Sequence, residues 1–198
     1  MNIQSALVLS ILEQWRSYTW TVQGFGFIRT KLANVGRIHV WDSSLATSRV
    51  STMHTHPWPL HSTIISGELI NQRFKQTELV TGLPYMHSRI ATGEGGGLIG
   101  EPNEVRLIAM VPETYWPGQI YEQKPEEIHR SIPQDGCITL IERPQGPPLE
   151  EASVYWPRGT QWVSAEPKPA ELWRIESVIN NALARWNPVL ALGEESGQ

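Results

Sequence analysis

The sequence holds one cysteine, Cys137, among 198 residues, so it can close no internal disulfide and build no cysteine-lined zinc site. A lone thiol fits a reducing compartment, and the expected location is the cytoplasm. Charge of one sign is also lacking. The formal net charge is −4 and the charged residues are interspersed, so no basic stripe is offered to a nucleic-acid backbone. No apolar run reaches the ~20 residues that a membrane-spanning helix requires. The stretch from Ala6 to Leu12 is short, and it lacks the basic flank and small-residue cleavage site of a signal peptide. Internal repeats are absent, and fifteen prolines and sixteen glycines are scattered as punctuation rather than gathered into a linker. The expectation is one domain over residues 1–198, large enough to bury a core and a pocket. Its partners are expected to be a small-molecule substrate and a second copy of the chain, without nucleic acid or membrane.

What is present reads as β structure between two helices. Stretches rich in β-branched and aromatic residues follow one another: Phe25 to Leu32, Gly36 to Trp41, Ser62 to Phe74, Tyr85 to Thr92, Val105 to Val111, Gly118 to Gln123, Ile128 to Ile132 and Cys137 to Glu142. With no helical pattern between them, they predict an all-β antiparallel barrel or sandwich with its core over about residues 25–165. Leu7, Ile11 and Trp15 recur at helical spacing and predict an amphipathic helix over about 4–20. Leu172, Ile175, Ile179, Ala182, Leu183 and Trp186 predict another over about 169–186. The polar tail from Leu192 to Gln198 is expected to fray. Residues 91–100, ATGEGGGLIG, lack the lysine and helix context of a phosphate loop and read as a mobile hairpin or lid. Nine tryptophans, several beside proline, are expected in the core and at the barrel mouth. Trp58 is singled out as a pocket wall because it follows the densest histidine cluster.

That cluster is MHTHPWPLHS, with His54, His56 and His61. On an extended strand side chains repeat every two residues, so His54 and His56 face one side and Thr55 the other. Two neutral imidazoles suit Fe, Zn, Ni or Cu better than Mg or Ca, and further ligands must come from elsewhere. His39 in RIHVWD reads as a barrel residue with a polar neighbour, and His87 as a strand or surface histidine.

The pattern resembles the cupin superfamily. Its first motif is Gly, five residues, His-x-His, three or four residues, Glu, six residues, Gly; His54, His56 and His61 fall on the two histidines and the glutamate. Its second motif places Gly118 and His129 of GQIYEQKPEEIHRSIP on its Gly and His. Ser48 replaces the first glycine, Gly67 comes one residue early and Pro125 one late, Glu126 stands for an inner glycine and Pro133 for the asparagine. The likeness covers about residues 36–143. HTHPW with a following S-x-x-x-x-G, HRS and W-P-x-G-x-x-W also resembles a group of small bacterial and phage cupin proteins. The resemblance implies a double-stranded β-helix with a metal held by His54, His56, His129 and, at the glutamate position, His61.

A centre of neutral histidines keeps the ion's full charge and open positions, which invites catalysis. Within the cupins such a centre is similar to that of the cysteine dioxygenase type, and Ile128-His129-Arg130 resembles its Leu-His-Arg segment. The implied cofactor is Fe(II), with Zn, Ni or Mn as alternatives, and the implied activity a non-haem dioxygenase or other oxidoreductase. The Ser, His, Tyr set of that type is replaced at alternate positions by Thr139, Ile141 and Arg143, which puts a cysteine substrate in doubt. Arg130, Arg143 and Arg89 are candidates to pair with a substrate carboxylate. Tyr121 and Glu68 are the candidates for acid and base work. Two other readings stay open: a metal-dependent isomerase, epimerase or lyase, and a non-catalytic metal- or ligand-binding module.

Overall fold

Period-two alternation dominates the chain, and the backbone answers with strands. In the computed structural model, residues 2–33, 36–47, 50–91, 97–144, 149 and 151–186 are described. The elements are α1 (Ile3–Glu13), β1 (Trp20–Gln23), β2 (Phe27–Leu32), β3 (Gly36–Trp41), β4 (Met53–His54), β5 (Leu60–Ser66), β6 (Leu69–Gln76), β7 (Leu83–Ala91), β8 (Leu98–Ala109), β9 (Glu113–Tyr115), β10 (Ile120–Gln123), β11 (Ile128–Pro133), β12 (Ile138–Glu142), β13 (Glu151–Pro157), β14 (Lys168–Pro169) and α2 (Leu172–Arg185). The fold is therefore mostly β, in two antiparallel sheets of seven strands. One runs β10-β5-β12-β3-β2-β1-β14 and the other β11-β4-β13-β7-β8-β6-β9. In the second, β11 also pairs with β6, so β11, β4, β13, β7, β8 and β6 form a closed circuit.

Alternation sorts the first sheet's side chains onto two faces. Ile28, Ile38, Val40, Ile138 and Leu140 turn outward into a cluster with Val8, Ile11, Leu12 and Trp15 from the N-terminal segment and Ile175, Val178, Ile179 and Ala182 of α2. The helices thus cover one face, as sheet burial requires. Phe27, Trp41, Ile64 and Ile141 turn inward and pack with Leu60, Leu69, Tyr121 and Cys137. A third cluster, Met53, Phe74, Val105, Leu107, Ile128 and Tyr155, belongs to the closed circuit. Burial pushes the Cys137 thiol up, so it stays protonated within the core.

Several boundaries differ from the expectation. The stretch Ser62 to Phe74 is two strands of different sheets, because the chain turns at Gly67, where φ is +79° and a Cβ would lie 2.8 Å from Cys137 Cα. Strand β13 was hidden in the Trp- and Pro-rich SVYWP, since its proline sits at the strand end, where no ladder donor is needed. Leu7 and Leu172 lie on the exposed sides of their helices; Val8, Leu12 and Val178 complete the buried faces instead. The expected tail and residues 92–96 of the glycine loop lie outside the described residues, while 98–100 open β8. No described helix is long and apolar enough to cross a membrane.

Candidate metal centre

Strand β4 is only two residues long, yet it is paired on both edges. His54 stands opposite His129 of β11 on one side and Val154 of β13 on the other. Residues directly opposite in antiparallel strands project to the same face, so this register alone aims two imidazoles together. Thr55 turns away: its Oγ1 accepts from Ser153 N, and its own N donates to Ser153 O. His56 returns to the histidine side, with its Nε2 3.0 Å from His129 Nε2. One ring nitrogen from each of His54, His56 and His129 lies within 4.8 Å of the others, close enough for one metal ion.

The hydrogen bonds decide which nitrogens are free to ligate. His54 Nδ1 lies 3.1 Å from Thr52 O, and a carbonyl only accepts, so Nδ1 carries the proton and Nε2 is bare. His129 Nδ1 donates to Asn71 Oδ1 at 2.9 Å. Asn71 Nδ2 in turn donates to Gln123 Oε1 at 3.4 Å, and Gln123 Nε2 to Glu127 O at 3.1 Å. This line orients the His129 ring and leaves its Nε2 as a lone pair, as second-layer partners do around metals. Phe25 stacks on His54 at 5.1 Å and fixes its plane. Two nitrogens bonded at ~2.1 Å to one ion and meeting at a right angle are roughly 3.0 Å apart, which is the His56–His129 separation.

Burial pushes the imidazoles of His54, His56 and His129 below the ordinary histidine range. At His56 the neighbouring His54 and His129, and then Arg37, push the same way; at His54 the Thr52 carbonyl opposes. Buried His39 is also held low, by desolvation and then by Arg37 and Arg29. All four are neutral when folded at neutral pH, but titrate near ~6.5 when unfolded. On acidification the unfolded chain therefore takes up more protons, and stability present above ~6.5 is lost as pH falls, by up to ~1.4 kcal/mol per pH unit for each proton. Thermal melts of metal-free protein should show a midpoint that drops between about pH 6.5 and about pH 5, and drops less in His39→Phe. A midpoint flat across that range would show that the imidazoles accept protons in place.

The structure brings some of the sequence-derived candidates to this centre and not others. Trp58 is there, its ring 6.2 Å from that of His56, and Arg143 lies over Trp58 at 5.0 Å. His61 is elsewhere: Pro57-Trp58-Pro59 carries the chain from the second sheet to the first, where His61 Nε2 lies 3.5 Å from Glu122 Oε1. The cluster within ligating reach contains three histidines, without His61. Arg130 follows His129 and so turns to the opposite face, over Phe74 at 5.6 Å. Arg89 pairs with Glu151 at 2.7 Å on the solvent side of β7 and β13. Tyr121 is buried in the interior with Ser62 and Ser131 at its hydroxyl; burial raises its pKa, and it keeps its proton at neutral pH. Glu68 sits in the β5–β6 turn beside Cys137 rather than among the imidazoles.

His39 and His87 are outside the cluster, as expected of them. His39 stacks on Phe27 at 4.2 Å, and His87 is held by Asn103 and Ser153. Sequence reading missed Asn71, Gln123, Phe25 and Arg37. Arg37 was within reach, since it shares strand parity with His39 in a correctly predicted strand; the amides carried no signal of their own. No protein-family model, curated protein or solved structure matches the chain.

Proposed function

We propose that the protein is a cupin-type metalloenzyme that holds one divalent transition-metal ion on His54, His56 and His129 and oxidises a small molecule with dioxygen, as non-haem iron enzymes do. The observation that supports it most is the convergence of three ring nitrogens, two of them left bare at Nε2 by the hydrogen bonds of Thr52 and Asn71. Three neutral ligands leave the ion its full charge and several open positions. The 3.0 Å between His56 Nε2 and His129 Nε2 is short enough for both to ligate one ion. Such an ion, when bound, would supply redox and Lewis-acid chemistry. The chain's residues would do the rest: Phe25 and Asn71 hold imidazole planes, and Trp58 walls one side. Tyr121, protonated and enclosed, would serve as a reserve of a proton through Ser131, which is beside its hydroxyl and two residues from His129 on the same strand face.

Metal analysis of protein purified without added metal, followed by oxygen-electrode assays of the iron-loaded form, tests this reading. Thiols, diketones and aromatic acids form the substrate panel. Iron loading is expected to give substrate-dependent dioxygen uptake that zinc loading does not support. Turnover under strict anaerobiosis with Zn or Mn would transfer the assignment to a Lewis-acid isomerase or lyase. Inertness with every metal would leave a binding module.

A further inference from the structure

Beside the histidines lies a second group of side chains that has no use in holding a metal. On the inward face of the first sheet, Arg29 stands opposite His39 and Lys31 opposite Arg37. Arg37 lies over the Trp58 ring at 5.4 Å, and Arg143 over the same ring at 5.0 Å. Of the chain's other arginines, Arg106 and Arg185 donate to backbone carbonyls, and Arg16, Arg73, Arg89 and Arg158 each lie within 4 Å of a carboxylate. Among the described residues Arg37 and Arg29 have none. Burial, then Arg29 and Arg143, push the Arg37 guanidinium down to about 10. Two uncharged polar atoms at the same place are orphaned: Trp58 Nε1 and His39 Nε2 are buried with no hydrogen-bond partner among the described residues. Buried cations and donors left unmatched cost folding energy, and such groups persist where a ligand completes them.

We propose that Arg37, with Trp58 and His39 beside it, is the receptor for the carboxylate of a small organic acid whose other end lies at the three-histidine centre. This rests on the reading of that centre as a metal site, and adds the substrate class to it. The guanidinium fork takes both carboxylate oxygens. Trp58 Nε1–H gives a further hydrogen bond, and Arg29 and Arg143 supply positive potential. Trp58 joins the two halves of the site, since one indole touches both the Arg37 guanidinium and the His56 ring. An acid so held presents the atoms next to its carboxyl group to the metal-facing nitrogens.

Acetate, benzoate and oxalate serve as probes, with benzamide as the uncharged match for benzoate. Calorimetric titration is done on metal-free and metal-loaded protein, with metal content measured on each sample. At least one acid is expected to bind and to raise the melting temperature, with benzamide at least ~10-fold weaker than benzoate. Arg37→Gln should weaken acid binding by at least ~10-fold, Arg37→Lys less, and Arg89→Gln not at all. Metal content should stay unchanged in all three. Arg37→Gln removes an unmatched buried charge, so it should melt no lower than the parent. Should it fail to fold, Arg29→Gln serves instead, with a loss of at least ~3-fold expected from the lost field. Acid binding that ignores Arg37 and Arg29, benzamide binding equal to benzoate, or no binding of any acid would overturn the receptor. Protein that binds acid through Arg37 but never holds metal would leave the receptor standing and remove the proposed function.

Discussion

His129→Ala is expected to strip the protein of its metal, with occupancy under a fixed chelator falling by at least ~10-fold. The cause is geometric as well as chemical. His129 is the most deeply buried of the three histidines, faces His54 directly across the β4–β11 pair, and has its Nε2 3.0 Å from that of His56. Removing it leaves two imidazoles and an Asn71 carboxamide that has lost its donor. His56→Ala should lose metal comparably, since it opens one coordination position. His39→Ala and His87→Ala should retain full occupancy, because one is stacked against Phe27 and the other is bonded at both ring nitrogens. Elemental analysis of the four variants decides the matter. Full metal in His129→Ala together with loss in His39→Ala or His87→Ala would mean that the ligand set is wrong.

Gly36→Ala should be the most damaging small change to the fold. Gly36 opens β3 at φ +144°, and a Cβ there would lie 1.9 Å from Ile141 O. That oxygen belongs to backbone in β12, the partner of β3, so nothing flexible can give way. Either the β3–β12 ladder shifts or the strand start peels off, and with it go Arg37 and the inward face. The expected cost is at least ~3 kcal/mol, or roughly 6–12 °C in melting temperature for a chain of this size. Gly97, with nothing within 4 Å of its would-be Cβ and no left-handed backbone, is the control. Its alanine variant should stay within ~0.5 kcal/mol of the parent. Equal melting of the two variants would show that the β3 start is looser than described.

How far the molecule could be read from its residues depended on the range of the physics involved. His54 and His56 were legible because strand parity is local, and Thr55 turns away as parity requires. His129 lies 73 residues from His56, and no local rule joins them; only a family pattern did. The same pattern pointed to His61, where local geometry intervenes, since the Pro57-Trp58-Pro59 crossing breaks the parity that begins at His54. Ser66-Gly67-Glu68 carried ordinary turn punctuation inside what looked like one long strand; what no local rule shows is that the chain passes there from one sheet to the other. Helix existence was clear from periodicity. Which leucines faced inward was not, since Leu7 and Val8 compete for adjacent angular positions and packing with the sheet settles it. The order of strands within either sheet depends on pairings far apart in sequence, and alternation says nothing about them.

The line from His129 through Asn71 and Gln123 to Glu127 runs in one direction, with every amide giving from nitrogen and taking at oxygen. Turning one amide over would set like against like at both its ends, so the line rearranges as a whole. Asn71 and His129 belong to β6 and β11, joined through six registered residue pairs, and that ladder must part before the line can turn. The His129 ring is thereby held in one orientation by the sheet itself, and its Nε2 keeps facing His56 for as long as the β6–β11 ladder stays closed.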